Sequence, residues 1–159
     1  MPSASPYAGF WLRLVAYLID SVILAVGVGV FIVLGALFVG FGFFRNLGER
    51  MDGGGNVLAP IGILLLLPII FAGIAATWLY YAWFESSTHQ ATLGKMALGL
   101  IVTDLEGRRI TFGRATGRFF AKMITGLIPF FIGYIMAGFT EKKQALHDMI
   151  AGCLVLRRL

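Results

Sequence analysis

Ser21–Phe44 reads SVILAVGVGVFIVLGALFVGFGFF, 24 consecutive residues without a charge, and it decides the fold class. Roughly 20 apolar residues cross the ~30 Å hydrocarbon core of a bilayer as a helix, so this stretch is a transmembrane helix. A second uncharged run, Val57–Phe84, lasts 28 residues and ends in Trp78, Tyr80, Tyr81, Trp83 and Phe84. Such amphipathic rings settle at the headgroup level, and the run is a second crossing. Between the two, Arg45–Asn56 carries a glycine triplet and mixed charges that cannot continue a helix in lipid, so it reads as a short loop.

The whole chain agrees. Of its 159 residues 58% are apolar and 13% charged, where a soluble domain carries about 25% charged residues, and mean hydropathy is +0.86. The excess of 13 Lys and Arg over 8 Asp and Glu gives +5, to be read by position as a membrane orientation signal and not as a nucleic-acid patch. A single cysteine, Cys153, excludes an intrachain disulfide and a Cys-rich metal site. The lead-in before the first apolar run resembles no signal peptide, because the run is too long for an h-region.

A third apolar run, Met123–Thr140, is broken by Gly126, Pro129 and Gly133 and preceded by Arg114, Arg118 and Lys122 at helical spacing. Crossing would leave seven basic residues on one side and six on the other, no asymmetry at all. Turning back puts 11 together and leaves only Arg45 and Arg50 opposite, which places both termini in the cytoplasm by the positive-inside rule. Within Glu85–Lys122 the order Leu100–Thr103, Asp104–Gly107, Arg108–Phe112 reads as strand, turn, strand, a small cytoplasmic hairpin that the β-prone tail run Cys153–Leu156 could join. Two small-xxx-small spacings, Ala25 with Gly29 and Gly113 with Gly117, suggest helix contacts weakly. The fold expected is an all-α integral membrane protein of one domain over 1–159. Helix 1 covers about 10–44, helix 2 about 57–84, a cytoplasmic loop 85–113, a third broken, re-entrant or transmembrane segment about 114–140, and a tail 141–159.

Ionisable residues in apolar surroundings carry the functional reading. Asp20 lies between LVAYLI and SVILAVGVGV, where a carboxylate costs at least about 2.5–3.5 kcal/mol and needs a partner or a role. Arg13, seven residues earlier, shares its helix face about 10 Å away along the axis, within reach of a long guanidinium or through a third group. The pair is either an ion or proton site or a buried ion pair that fixes packing. His147-Asp148 is either a proton relay, or a solvated imidazole beside a carboxylate that caps a helix or pairs with a basic residue of the second loop. Catalytic patterns fail: Gly94-Lys95 lacks the glycine and Ser/Thr of a phosphate loop, His89 and His147 form no HExxH, and no nucleophile elbow exists. No enzyme, cofactor or metal is expected.

Three segments, Gly9–Asp20, Gln90–Leu100 (QATLGKMALGL) and Gln144–Gly152 (QALHDMIAG), together resemble the RDD family of small membrane proteins, in order along nearly the whole chain. The family's Thr after the Ala-Gly pair is Cys153 here, a change conservative in size. By that resemblance the signature arginine is Arg13 and the aspartates are Asp20 and Asp148, one constellation, with Thr92, Gly94, Lys95 and His147 accessory. The resemblance implies transport of an unidentified ligand and a bacterial inner membrane. One arginine against two carboxylates leaves −1, which suits monovalent cation/proton exchange with Asp20 as the exchange site and requires a homo-oligomer. The competing expectation is a non-transporting module in which the trio locks tail and hairpin to helix 1 within a larger membrane complex. The partners expected are the lipid bilayer, other membrane subunits and a monovalent cation or proton, with no nucleic acid.

Overall fold

A computed structural model describes residues 6–48 and 58–158. Among them the order is α1 (Phe10–Gly48), α2 (Leu58–Ser86), α3 (Leu93–Ala97), β1 (Leu100–Asp104), α4 (Phe112–Leu127), α5 (Ile132–Ile135), α6 (Leu146–Ala151) and β2 (Cys153–Arg157), with 3-10 turns at Pro129–Phe131 and Met136–Gly138. Two helices are long and apolar enough to cross a membrane, over Phe10–Phe38 and Leu67–Ser86. Helix α1 runs past the expected loop start at Arg45 as far as Gly48, because nothing before the glycine triplet breaks it; the triplet itself lies outside the described residues.

The chain divides into two compact units, one of Ile23–Thr77 and one of the residues up to Val22 and from Trp78 onward. Inside the first, the helices approach closely at Gly35, where a Cβ would stand 3.1 Å from Ile69 Cδ1, and at Gly73, where it would stand 3.3 Å from Ile32 and Val28. The glycines of the two small-xxx-small spacings, Gly29, Gly113 and Gly117, have nothing within 4 Å. These glycines mark no close approach among the described residues, as the abundance of Gly and Ala would produce by chance.

The second unit is organised on a two-stranded antiparallel sheet. β1 pairs with β2, Val102 opposite Val155 and Asp104 opposite Cys153. The hairpin reading therefore needs correction. Its turn forms, with Gly107 at φ +81° and Asp104 N–H donating to Arg108 O at 2.9 Å, but the second hairpin strand is reduced to a single bridge, Thr103 to Arg109. The tail takes its place, since Cys153, Leu154 and Val155 supply the apolar side chains that β1 buries, whereas Arg108 and Arg109 are exposed. The amino-terminal lead-in adds to the other edge of β2: Ala8 N–H donates to Val155 O and Arg157 N–H to Pro6 O, both at 2.8 Å. Lead-in, second loop and tail thus share one sheet, with Ala8, Ala16, Ala82, Leu100, Val102, Ile110, Ala115 and Val155 in the core.

The third apolar run turns back. α4, capped by Thr111 Oγ1 accepting from Arg114 N–H at 3.3 Å, ends before Pro129, and the next segment departs at 117°. Phe130 and Phe131 make the bend at φ +59° and +55°, a left-handed backbone that costs bulky residues about 1–3 kcal/mol each. α5 returns so close to α4 that a Cβ on Gly133 would come within 2.7 Å of Thr125 Cγ2. Both ends of the run reach the sheet, through Asp104–Arg108 before it and through Gln144 Nε2 donating to Cys153 O at 2.9 Å after it.

Two glycine substitutions of opposite sign test this backbone. Gly152, at φ +60°, closes α6 and turns it into β2, so Gly152→Ala should destabilise by about 1 kcal/mol. Exposed Gly117, inside α4 with open space around it, should instead gain about 0.5–1 kcal/mol as Gly117→Ala; thermal unfolding in detergent reads both.

Candidate functional site

Asp20 is buried on α1, and three donors hold it. Tyr80 Oη of α2 and the Gly94 N–H each donate to Oδ1 at 2.8 Å, and Thr92 Oγ1 donates to Oδ2 at 2.6 Å. Leu93 N–H in turn donates to Tyr80 Oη at 3.1 Å. Gly94 is there for lack of a side chain: a Cβ would collide with the Ala16 carbonyl oxygen and stand 2.9 Å from Asp20 Cγ. The QATLGK segment that fails as a phosphate loop is a cradle for an intramembrane carboxylate.

Arg13 does not turn to Asp20. Its Nε donates to Ala8 O at 2.8 Å and its Nη2 to Lys143 O at 2.6 Å, while Nη1 pairs with Asp148. Asp148 is fully buried at the start of α6, where Ala145 N–H donates to Oδ2 at 3.1 Å. Its other oxygen accepts from Arg118 Nε at 2.9 Å and Nη2 at 2.7 Å. Burial alone would raise the Asp148 carboxyl, but Arg118 and Arg13 beside it hold it well below the usual carboxylate range. The trio read as one constellation is thus two separate sites, Arg13 with Asp148 and Asp20 with neutral donors.

What the sequence reading missed is the centre. Arg118, taken as a positive-inside residue, is 2% exposed, and its Nη1 lies 2.7 Å from Oε2 of buried Glu85. Lys95 of α3 pairs with Oε1 of Glu85, and Lys122 Nζ lies 3.5 Å from the same oxygen and 4.2 Å above the Tyr81 ring. A signal was present: an acidic residue closing a 28-residue uncharged run, and Arg114, Arg118 and Lys122 spaced four apart, which puts them on one helical face. Burial pushes the Lys95 ammonium down to about 7, with Glu85 pulling the other way.

His147 also departs from the solvated imidazole expected. It is 5% exposed, with Nε2 3.5 Å from Asp148 Oδ1 and Nδ1 without a hydrogen-bond partner among the described residues. Burial pushes it down to about 3, against the attraction of Asp148, so it is neutral near pH 7. These residues surround a cavity of about 470 Å³ in this unit, with Arg13, Asp20, Lys95, Arg118, Lys122 and His147 on its polar wall. Among the described residues no cluster of three or more His, Cys, Asp or Glu could hold a metal.

The family model described as "RDD family" matches residues 7–152, a span that contains every residue of both sites. The uncharacterized protein YxaI of Bacillus subtilis (strain 168) is 38% identical over 144 residues, 90% of this chain and 92% of the relative. The uncharacterized membrane protein YteJ of the same organism is 28% identical over 165 residues, 94% and 80% of the two chains. The uncharacterized protein RP437 of Rickettsia prowazekii (strain Madrid E) is 37% identical over 75 residues, 47% and 39%. No solved structure matches.

Two measurements probe the site. Gly94→Ala should lower thermal stability by about 1–3 kcal/mol through overpacking against Ala16 and Asp20. For His147, whose folded-state value lies below its ordinary 6.5, the neutral imidazole contributes stability fully present above 6.5 and lost as pH falls toward 3. Unfolding followed from pH 7 down to the ordinary 3.8 of Asp148 should show that decline, and His147→Gln should flatten it.

Proposed function

The chain belongs to the RDD family and is an integral membrane protein, and from that premise we propose that it is a membrane module assembled by a buried charge lock, without catalysis of its own. One observation carries this reading: both oxygens of Asp20 and of Asp148 are engaged by protein donors. A carboxylate offers about four acceptor positions; Asp148 has four donors and Asp20 three, which leaves an exchanged ion one position, on Asp20 Oδ2. Once Asp20 and Arg13 part, Arg13 and Asp148 cancel and the −1 counted for the trio rests on Asp20 alone, where three neutral donors hold it. Arg118 and Arg13 fasten Asp148, while Glu85 gathers Lys95, Lys122 and Arg118, so the lock joins α1, α2, α3, α4 and α6.

The setting proposed is the bacterial inner membrane with both termini in the cytoplasm, supported by the shared sheet of lead-in, loop and tail and by the 11 basic residues that this arrangement collects. On α1, Val26, Val30, Val33 and Leu37 are exposed, a helical stripe for lipid, for further copies or for other subunits of a membrane complex.

Transport is the second reading, and Lys95 favours it. An ammonium on the cavity wall with its proton labile at about 7 could exchange protons with Glu85 as counter-ion, in place of Asp20. Purified protein in liposomes with an internal pH dye and pulses of sodium, lithium or potassium separates the readings. The lock predicts no cation-driven proton flux above empty liposomes, and a loss of about 2–4 kcal/mol of stability in Asp20→Asn. Flux abolished in folded Asp20→Asn would restore the original exchange site. Flux that survives Asp20→Asn and disappears in Lys95→Met would establish the second.

A further inference from the structure

Four cations surround the cavity against three buried carboxylates, Asp20, Glu85 and Asp148, which leaves one positive charge over. Arg13, Lys95, Arg118 and Lys122 line it, and among the described residues only Glu85 and Asp148 are ion-paired with them. Asp20 takes its hydrogen bonds from neutral donors. Buried charge left over in this way calls for a counter-charge. His147 Nδ1, buried on the same wall, has no hydrogen-bond partner among the described residues, and in its Nδ1–H tautomer it donates to an anion where an unpaired donor is costly. The rest of the lining is of opposite character, with Phe10, Leu14, Phe130, Phe131 and Ile135 forming an apolar wall. Phe130 and Phe131 are 85% and 66% exposed, so that wall continues to the surface of an apolar segment, where hydrocarbon would meet it.

We propose that this cavity binds an amphiphilic anion, a single acyl chain ending in a carboxylate or phosphate, with the head group at Lys122 and His147 and the chain along Phe130 and Phe131. A volume of about 470 Å³ lies within the ~300–1,000 Å³ of small-molecule sites. Lys122 is the cation with most to give, since its contact is the longest of the three ion pairs on Glu85 at 3.5 Å and its side chain is 22% exposed. The apolar wall distinguishes this ligand from a free inorganic anion, and the excess positive charge distinguishes it from a neutral or cationic lipid. The inference is independent of whether the lock itself transports ions.

Equilibrium binding of radiolabelled palmitate to the delipidated full-length protein in a neutral detergent tests it. One saturable site per chain is expected, competed by unlabelled palmitate or dodecyl phosphate, which separate the two head groups, and not by hexadecanol, hexadecyltrimethylammonium, acetate or inorganic phosphate. Lys122→Gln should weaken binding by about tenfold, the loss of one charge-assisted contact. Gly126→Leu places a side chain in the cavity from a helical position whose Cβ meets only Tyr134 Oη, at 3.8 Å, and should abolish binding without loss of thermal stability. Hexadecanol competing as well as palmitate, displacement by acetate or phosphate, or unchanged binding in folded Gly126→Leu would each overturn the proposal.

Discussion

Arg118 is the constraint on which the sheet-bearing unit is built. A guanidinium 2% exposed carries a desolvation cost of several kcal/mol that only good geometry offsets, and it finds that geometry in two carboxylates from different parts of the chain. Nε and Nη2 fork onto one oxygen of Asp148 while Nη1 faces Glu85. The planar, always-charged fork suits this bridge in a way a lysine ammonium would not. Because Asp148 also takes Arg13 and the Ala145 N–H, one side chain on α4 fixes where α6 stands against α1, and α6 then delivers β2 to β1.

Packing around the lock is made close by small residues and not by bulk. Ala8, Ala16, Ala82, Ala115 and Ala145 are buried, and Gly94 sits against the Ala16 carbonyl where any side chain would collide. Such approaches bring backbone donors to a carboxylate, as with the Gly94 N–H and Asp20. The QATLGK segment therefore owes its glycine and threonine to an aspartate more than 70 positions away in sequence.

Much of this was legible in the sequence. Lengths and hydropathy disclosed both crossings, and Pro129 and the flanking glycines disclosed a broken third run, all of them local or summed properties. The family motif named Arg13, Asp20, Asp148, Thr92, Gly94 and Lys95, each of which the structure places in a buried polar contact. Partnership was not legible. A helix face relates Arg13 to Asp20, yet rotamer and neighbours decide where a guanidinium goes, and Asp148 offered it an anionic partner that Asp20 would have supplied only at a distance of about two turns. Arg118 and Lys122 look like ordinary orienting charges, because burial by α6 and α2 is a tertiary event. The second hairpin strand yielded to the tail for the same reason, as Cys153–Val155 offer β1 apolar cover and Arg108-Arg109 do not.

A lock and an exchange site make different demands on one set of residues. A lock is best with its acceptor positions filled, and an exchanger needs at least one open. The direct test is a double-mutant cycle on Arg118 and Asp148, with Arg118→Met, Asp148→Leu and the double variant compared by reversible unfolding in detergent. Each single variant leaves a buried charge unpaired, so the account predicts that both singles lose more than the double, with a coupling of about 1–3 kcal/mol. Additive losses, with no coupling between the two, would contradict it.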